Sequence, residues 1–218
     1  MRKVMTVLLA VVLAAGAWSS ANAWTLNFEE GLGNNGGTVA SNIAGLQFTT
    51  TDGYDWIYAD VTAGGYNASS DNGNVYGSGT FWMEGNVSVF LGTSQGSGRI
   101  DFLNQDGSFF STGYCAASNF YLEAYDANGN LLDTDTGGEN LRYGANDAGG
   151  MGFLSVSSGS NNIAYVIMHD TGNLWEVDHM SGDASGVPDQ TGAVPEPATL
   201  LLFGLGLVGG AIRKRMTK

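Results

Sequence analysis

The residues with most chemistry in this chain are its carboxylates, 21 Asp and Glu against eight Lys and Arg. Asp133-Thr134-Asp135-Thr136-Gly137-Gly138 opens like a calcium loop, with hard oxygen ligands at positions one and three and glycine at six. Its twelfth position is Gly144 where an EF-hand needs a bidentate glutamate, so it is not an EF-hand. Glu29, Glu30, Asp126 and Asp178 are candidate ligands for a structural calcium held between loops or terminal strands. The plain alternative for each is turn capping or solvated surface. Two carboxylates about 5–10 Å apart in a cleft would instead suit glycoside hydrolysis, and that separation is a property of the fold. Trp56, Trp82 and Trp175, with tyrosines interleaved among Asp, Asn and Glu, are candidate contacts for a carbohydrate's apolar face and hydroxyl rim. Their alternative is to fill the core.

Other patterns fail on context. Gly92-Thr93-Ser94-Gln95-Gly96 fits the nucleophile-elbow spacing, but that serine needs a helix after its turn, and Gly98-Arg99-Ile100-Asp101-Phe102 reads as a strand. A hairpin loop is expected there. The G-x-G-x-x-G matches at 31–36 and 204–209 have no βαβ setting for a dinucleotide. His169, His179 and Cys115 lack the close pair spacing of a zinc site. A histidine at a strand end, as in His169-Asp170, is more often structural than an acid–base catalyst. One cysteine excludes an intramolecular disulfide; Cys115 lies among small residues, which suits a buried thiol, whereas exposure would permit an intermolecular bond.

The elements that must position these groups read as strands throughout. Apolar and aromatic runs at 24–28, 45–50, 55–61, 80–84, 87–92, 98–103, 120–126, 130–134, 152–157, 163–170 and 174–180 are separated by Gly, Asn, Asp and Ser. No window sustains a helical apolar period. An all-β, antiparallel sandwich is expected over residues 24–186. Strand alternation puts Phe120, Leu122 and Ala124 on one face and Tyr121, Glu123 and Tyr125 on the other. Asn128-Gly129 then supplies a hairpin turn.

The ends carry an address. Residues 1–23 open with Arg2 and Lys3, continue through an apolar run and close on Ala21-Asn22-Ala23, the build of a secretory signal peptide cut after Ala23. After a linker at 187–194, Pro195-Glu196-Pro197 precedes an apolar, glycine-interrupted run at 198–212 and then Arg213-Lys214-Arg215. Apolar run followed by basic cluster is a stop-transfer pattern, here about 22 Å of transmembrane helix at roughly 1.5 Å per residue. Prolines at 195 and 197 keep the segment before it extended, as a protease cleft requires.

These C-terminal residues resemble the PEP-CTERM sorting signal of Gram-negative bacteria. The resemblance implies an exported protein, held transiently in the inner membrane and cut near Pro-Glu-Pro by exosortase, a membrane cysteine protease. It also implies residence at the cell surface or in the extracellular matrix, in a system associated with exopolysaccharide and biofilm. The body resembles the jelly-roll, galactose-binding-like domains common in such proteins. The resembling residues are Phe28-Glu29-Glu30-Gly31, Tyr121-Leu122-Glu123-Ala124-Tyr125-Asp126, Ile163-Ala164-Tyr165-Val166 and the run from Asp170 to Asp178. In that fold the last strand packs beside the first.

With both ends set aside, residues 24–194 keep two cations, Arg99 and Arg142, against 20 acidic residues, a net charge of −18 with no lysine. Phosphate would be repelled, which argues against a nucleic-acid partner. The surface either stays solvated or recruits cations. The expectation is a non-enzymatic structural or adhesive protein whose partner is exopolysaccharide. A carbohydrate-binding module and a secreted glycan-active enzyme are the alternatives.

Overall fold

The computed structural model describes residues 23–51, 55–60, 62, 75–76, 79–80, 85–91, 96–141, 150–172 and 174–190. In chain order the strands are β1 (Trp24–Leu26), β2 (Leu46–Thr50), β3 (Trp56–Asp60), β4 (Val75–Tyr76), β5 (Gly79–Thr80), β6 (Val87–Leu91) and β7 (Gly98–Phe102). They continue as β8 (Phe109–Ala116), β9 (Phe120–Tyr125), β10 (Leu131–Gly137), β11 (Gly152–Ser157), β12 (Tyr165–Asp170) and β13 (Trp175–Gly182). One 3-10 turn, Glu29–Gly31, follows β1. The first sheet runs β11-β8-β13-β6-β3, with β1 also paired to β13; the second runs β10-β9-β12-β7-β2. β4 and β5 form a separate ribbon, and every pairing among the described residues is antiparallel.

The expected sandwich is therefore present, and period-two alternation explains it. Phe120, Leu122 and Ala124 are fully buried while Tyr121, Glu123 and Tyr125 face outward. A string of ring contacts crosses the core from Phe28 through Phe48, Trp56, Trp175 and Phe120 to Tyr114, with centroids 5.1 to 6.3 Å apart. Each such contact adds about 0.5–1.5 kcal/mol beyond area burial. Trp56 lies directly over Gly98, where a Cβ would collide with the indole, so a glycine at the start of β7 leaves room to seat that ring.

The structure differs from the sequence reading in three places. β8 is absent from the expected strands, because Ser-Thr-Gly in Phe109–Ala116 resembles loop composition. It is a central strand whose Phe110, Thr112, Tyr114 and Ala116 face the core and whose Gly113 makes room for Met151. Next, β6 and β7 flank the 92–96 segment as strands, but they belong to different sheets, so the chain crosses over there and makes no hairpin. Ser94 itself lies outside the described residues. Finally, packing continues to Gln190, four residues into the expected linker. Val187 is buried, the Thr25 N–H donates to Asp189 Oδ1, and Gln190 Oε1 accepts from the N–H groups of Asn27 and Phe28.

That last contact ties the two ends of the body together. β1 pairs with β13 in the register Trp24↔Gly182, Thr25↔Ser181 and Leu26↔Met180, as the jelly-roll resemblance implies. Strand pairing and the Asp189 and Gln190 hydrogen bonds thus join the first and last described strands of the body.

Candidate functional site

β10 and β11 are the edges of the two sheets at one side of the sandwich. Asp133 Oδ1 accepts from the Thr134 N–H at 2.9 Å and its Oδ2 from the Ser157 N–H at 2.8 Å. Asp135 repeats the pattern with Thr136 at 2.8 Å and Ser155 at 2.9 Å. Two carboxylates thus bridge two sheet edges and occupy four N–H groups that could otherwise recruit a foreign strand. This explains the Asp-x-Asp pattern as a seam.

The remaining calcium candidates are not brought together. Glu29 Oε1 accepts from the N–H groups of Asn86 and Val87; Glu30 takes the Tyr58 hydroxyl at 3.0 Å and the Gln190 amide at 2.8 Å. Burial, then the charge of Glu30, raises the Tyr58 pKa well beyond the ordinary tyrosine value. Asp126 stands at the far hairpin of the second sheet, where Gly129 has φ +84°. It accepts from Asn128 N–H, Asn130 N–H and the Asn130 amide, and the Asn130 bonds hold its carboxyl below the usual range. Asp178 is buried in β13 and accepts from the His179 N–H. Among the described residues no three Asp, Glu, His or Cys side chains gather to hold a metal ion.

The sugar-contact candidates also change role. Trp56 and Trp175 are only 1% and 5% exposed, edge-on to each other in the core at 5.5 Å, and neither offers a ring face to a ligand. Their alternation with polar neighbours is the signature of an inward strand face, which aromatic spacing alone does not distinguish from a binding rim. Trp82, Pro195, Glu196, Pro197, Arg213, Lys214 and Arg215 lie outside the described residues. Cys115 is buried against Leu141 beneath Met151 and Leu174, the setting of an inert thiol.

Exposed polar chemistry collects elsewhere, on the outer face of the second sheet. Register places Thr134, Glu123, Ile167, Arg99 and Thr49 in one row across all five strands. One flank of this row is Tyr125, Tyr165, Asp101 and Gln47; the other is Thr136, Tyr121 and His169. The rings pair across strands. Tyr125 and Tyr165 stack at 5.1 Å with planes 7° apart, and Tyr121 and His169 at 4.9 Å with planes 11° apart. The Arg99 guanidinium covers the other side of Tyr165 at 3.6 Å, while its Nε bonds both Asp101 oxygens at 2.9 and 3.0 Å. Tyr125 donates its hydroxyl to Glu123 Oε2 at 2.7 Å, which together with partial burial pushes its pKa up to about 12. His169 Nε2 stands 3.9 Å from Glu123 Oε1.

This face was half legible: Tyr121, Glu123 and Tyr125 follow from alternation in β9. Tyr165, Ile167 and His169 carry the same signal in 163–170. What the sequence lacked was that β12 inserts between β9 and β7, which brings Arg99 and Asp101 beside them.

Fold and tail together define an all-β jelly-roll-type sandwich followed by a C-terminal sorting signal. The signal is a particular one: residues 193–215 match the PEP-CTERM protein-sorting motif. No curated protein matches the chain. Among solved structures, the K1 cleaved adhesin domain of Lys-gingipain from Porphyromonas gingivalis W83 aligns with 76% of this chain and 99% of its own, at 16% identity and a TM-score of 0.46. The CBM22-1 xylan-binding domain of Paenibacillus barcinonensis Xyn10C aligns with 75% of this chain and 94% of its own, at 11% identity and a TM-score of 0.39. The family 29 carbohydrate-binding module CBM29_1 from Piromyces equi aligns with 65% and 97%, at 10% identity and a TM-score of 0.31. No helix among the described residues is long and apolar enough to cross a membrane.

Proposed function

We propose that this is an exported surface protein, processed by exosortase at its tail, that holds extracellular polysaccharide on the outer face of its second sheet without cleaving it. The observation that carries the binding reading is the aromatic and carboxylate surface around Glu123, assembled from three strands and held by cross-strand stacking. Hydroxyl-rich ligands need a row of rigid hydrogen-bonding groups, and the Tyr, Glu, Arg and Asp side chains here are fixed by one another before any ligand arrives. The sorting motif supports the location: exosortase processing puts the body outside the inner membrane, where an extracellular polysaccharide can reach it.

The geometry favours retention over hydrolysis. Register sets Glu123 on β9 and Asp101 on β7 two strands and two residues apart, a backbone separation of about 12 Å, wider than the spacing that suits hydrolysis. Asp101 is committed to Arg99. The test is a glycan array probed with residues 24–190, reading both retained protein and released sugar. Retention without release is expected. Released sugar would overturn the non-enzymatic reading, and silence in both channels would overturn binding.

A further inference from the structure

Resting on the binding reading above, we propose that the outer face of the second sheet is specific for an amino polysaccharide, whose protonated amine seats on Glu123 between the rings of Tyr121 and Tyr125. Three observations on this face converge. Glu123 lies between Tyr121 and Tyr125 on the same strand and side, so a ring stands about 7 Å away in each direction along β9. The Tyr125 hydroxyl occupies Oε2 and fixes the carboxylate, leaving Oε1 turned toward His169, whose ring is itself stacked on Tyr121. A fixed carboxylate beside a tyrosine hydroxyl is chemistry that recognises an ammonium group, by charge-assisted hydrogen bonding.

Arg99 is the one Lys or Arg among the described residues, and it is taken up by Asp101 and by the face of Tyr165. It forms no ion pair with Glu123, whose charge partner is His169 at 3.9 Å, so no permanently charged side chain among the described residues cancels the carboxylate at the centre of the row. Charge complementarity extends beyond the site. Residues 24–194 carry −18 with no lysine, which repels a uronate or sulfated chain and draws in a polycation. A neutral glycan would gain nothing from that field, whereas a chain with free amines gains both steering and a seat.

The experiment is calorimetric titration of residues 24–190 with a fully de-N-acetylated glucosamine hexamer and with its fully N-acetylated counterpart, which differ only in the amine. The de-N-acetylated chain is expected to bind, to weaken as salt rises toward about 0.5 M, and to lose about tenfold or more with Glu123→Gln. Asp55→Asn removes an equal charge from an exposed position before β3 in the first sheet and is expected to bind as the parent does. Thermal melting of each variant confirms the fold. Equal losses in the two variants would reduce the effect to bulk charge and overturn the seat on Glu123. Tighter binding of the N-acetylated chain, lost with Tyr121→Ala, would overturn amine recognition while leaving the polysaccharide face standing. Binding of neither chain, with other glycans retained on the array, would overturn this inference alone; an array that is silent as well would remove both.

Discussion

Replacing Asp133 and Asp135 together by alanine tests whether side-chain carboxylates close the sandwich where no backbone ladder does. Each aspartate accepts two N–H groups, one from its own strand β10 and one from β11 across the seam. A hydrogen bond contributes about 0.5–1.5 kcal/mol net, and these are solvent-accessible, so the lower end applies. Four bonds at about 0.5 kcal/mol each come to about 2 kcal/mol. For a body of this size about 1 kcal/mol moves Tm by roughly 2–4 °C, so the double variant is expected to melt about 4–8 °C lower. Asparagine at both positions is a sharper probe. It keeps one acceptor but turns an NH₂ toward a backbone N–H, so at least half the loss should remain although the shape is preserved. The alanine variant should also associate, because two sheet edges lose their cover. Urea unfolding with light scattering on residues 24–190 reads both effects. A double alanine variant that melts within about 1 °C of the parent and stays monomeric would refute the seam, since that falls below the expected effect.

Three further outcomes follow from single contacts. Gly98→Ala forces a Cβ into the Trp56 indole and should destabilise the body by about 1–3 kcal/mol, read as a lower urea midpoint with an unchanged slope; an unchanged midpoint would contradict the packing described. Tyr58 and Tyr125 ionise later when folded than the value near 10 of an unfolded tyrosine. Their contribution to stability is therefore complete below about pH 10 and lost as pH climbs toward 12 and beyond, which melting between those limits, compared with Tyr125→Phe, will show. Tyrosine absorbance that titrates in one step near pH 10 while the fold persists would contradict it. Deleting residues 200–218 should abolish processing and surface retention in an exosortase-positive host, and unchanged fractionation would sink the sorting reading.

How much could be read in advance depended on whether a signal was local. Alternation in 120–125, the Asn128-Gly129 turn and the motif from Val194 onward are local, and the first two stand in the structure as read, while the third matches the sorting family. β8 was missed because its outward positions, Ser111 and Gly113, are small for a packing reason that lies in β13 and Met151, far along the chain. Trp56 and Trp175 were read as possible ligand contacts because a ring's side of a strand is set by which sheet covers it. Asp133 and Asp135 show the same limit in reverse: the spacing of a calcium loop and the spacing of an edge seam are identical, and only the arrival of β11 separates them. The binding face needed β12 between β9 and β7, a pairing of segments some 40 to 70 residues apart that no local pattern encodes.

The central claim is that polysaccharide is held by the outer face of the second sheet. The most direct test is co-sedimentation of residues 24–190 with exopolysaccharide isolated from exosortase-positive cells, comparing the parent with a Tyr121→Ala, Glu123→Ala, Tyr125→Ala triple variant whose fold is confirmed by melting. The account predicts that the parent sediments with the polymer and the variant stays in solution. A variant that sediments as fully as the parent would contradict it.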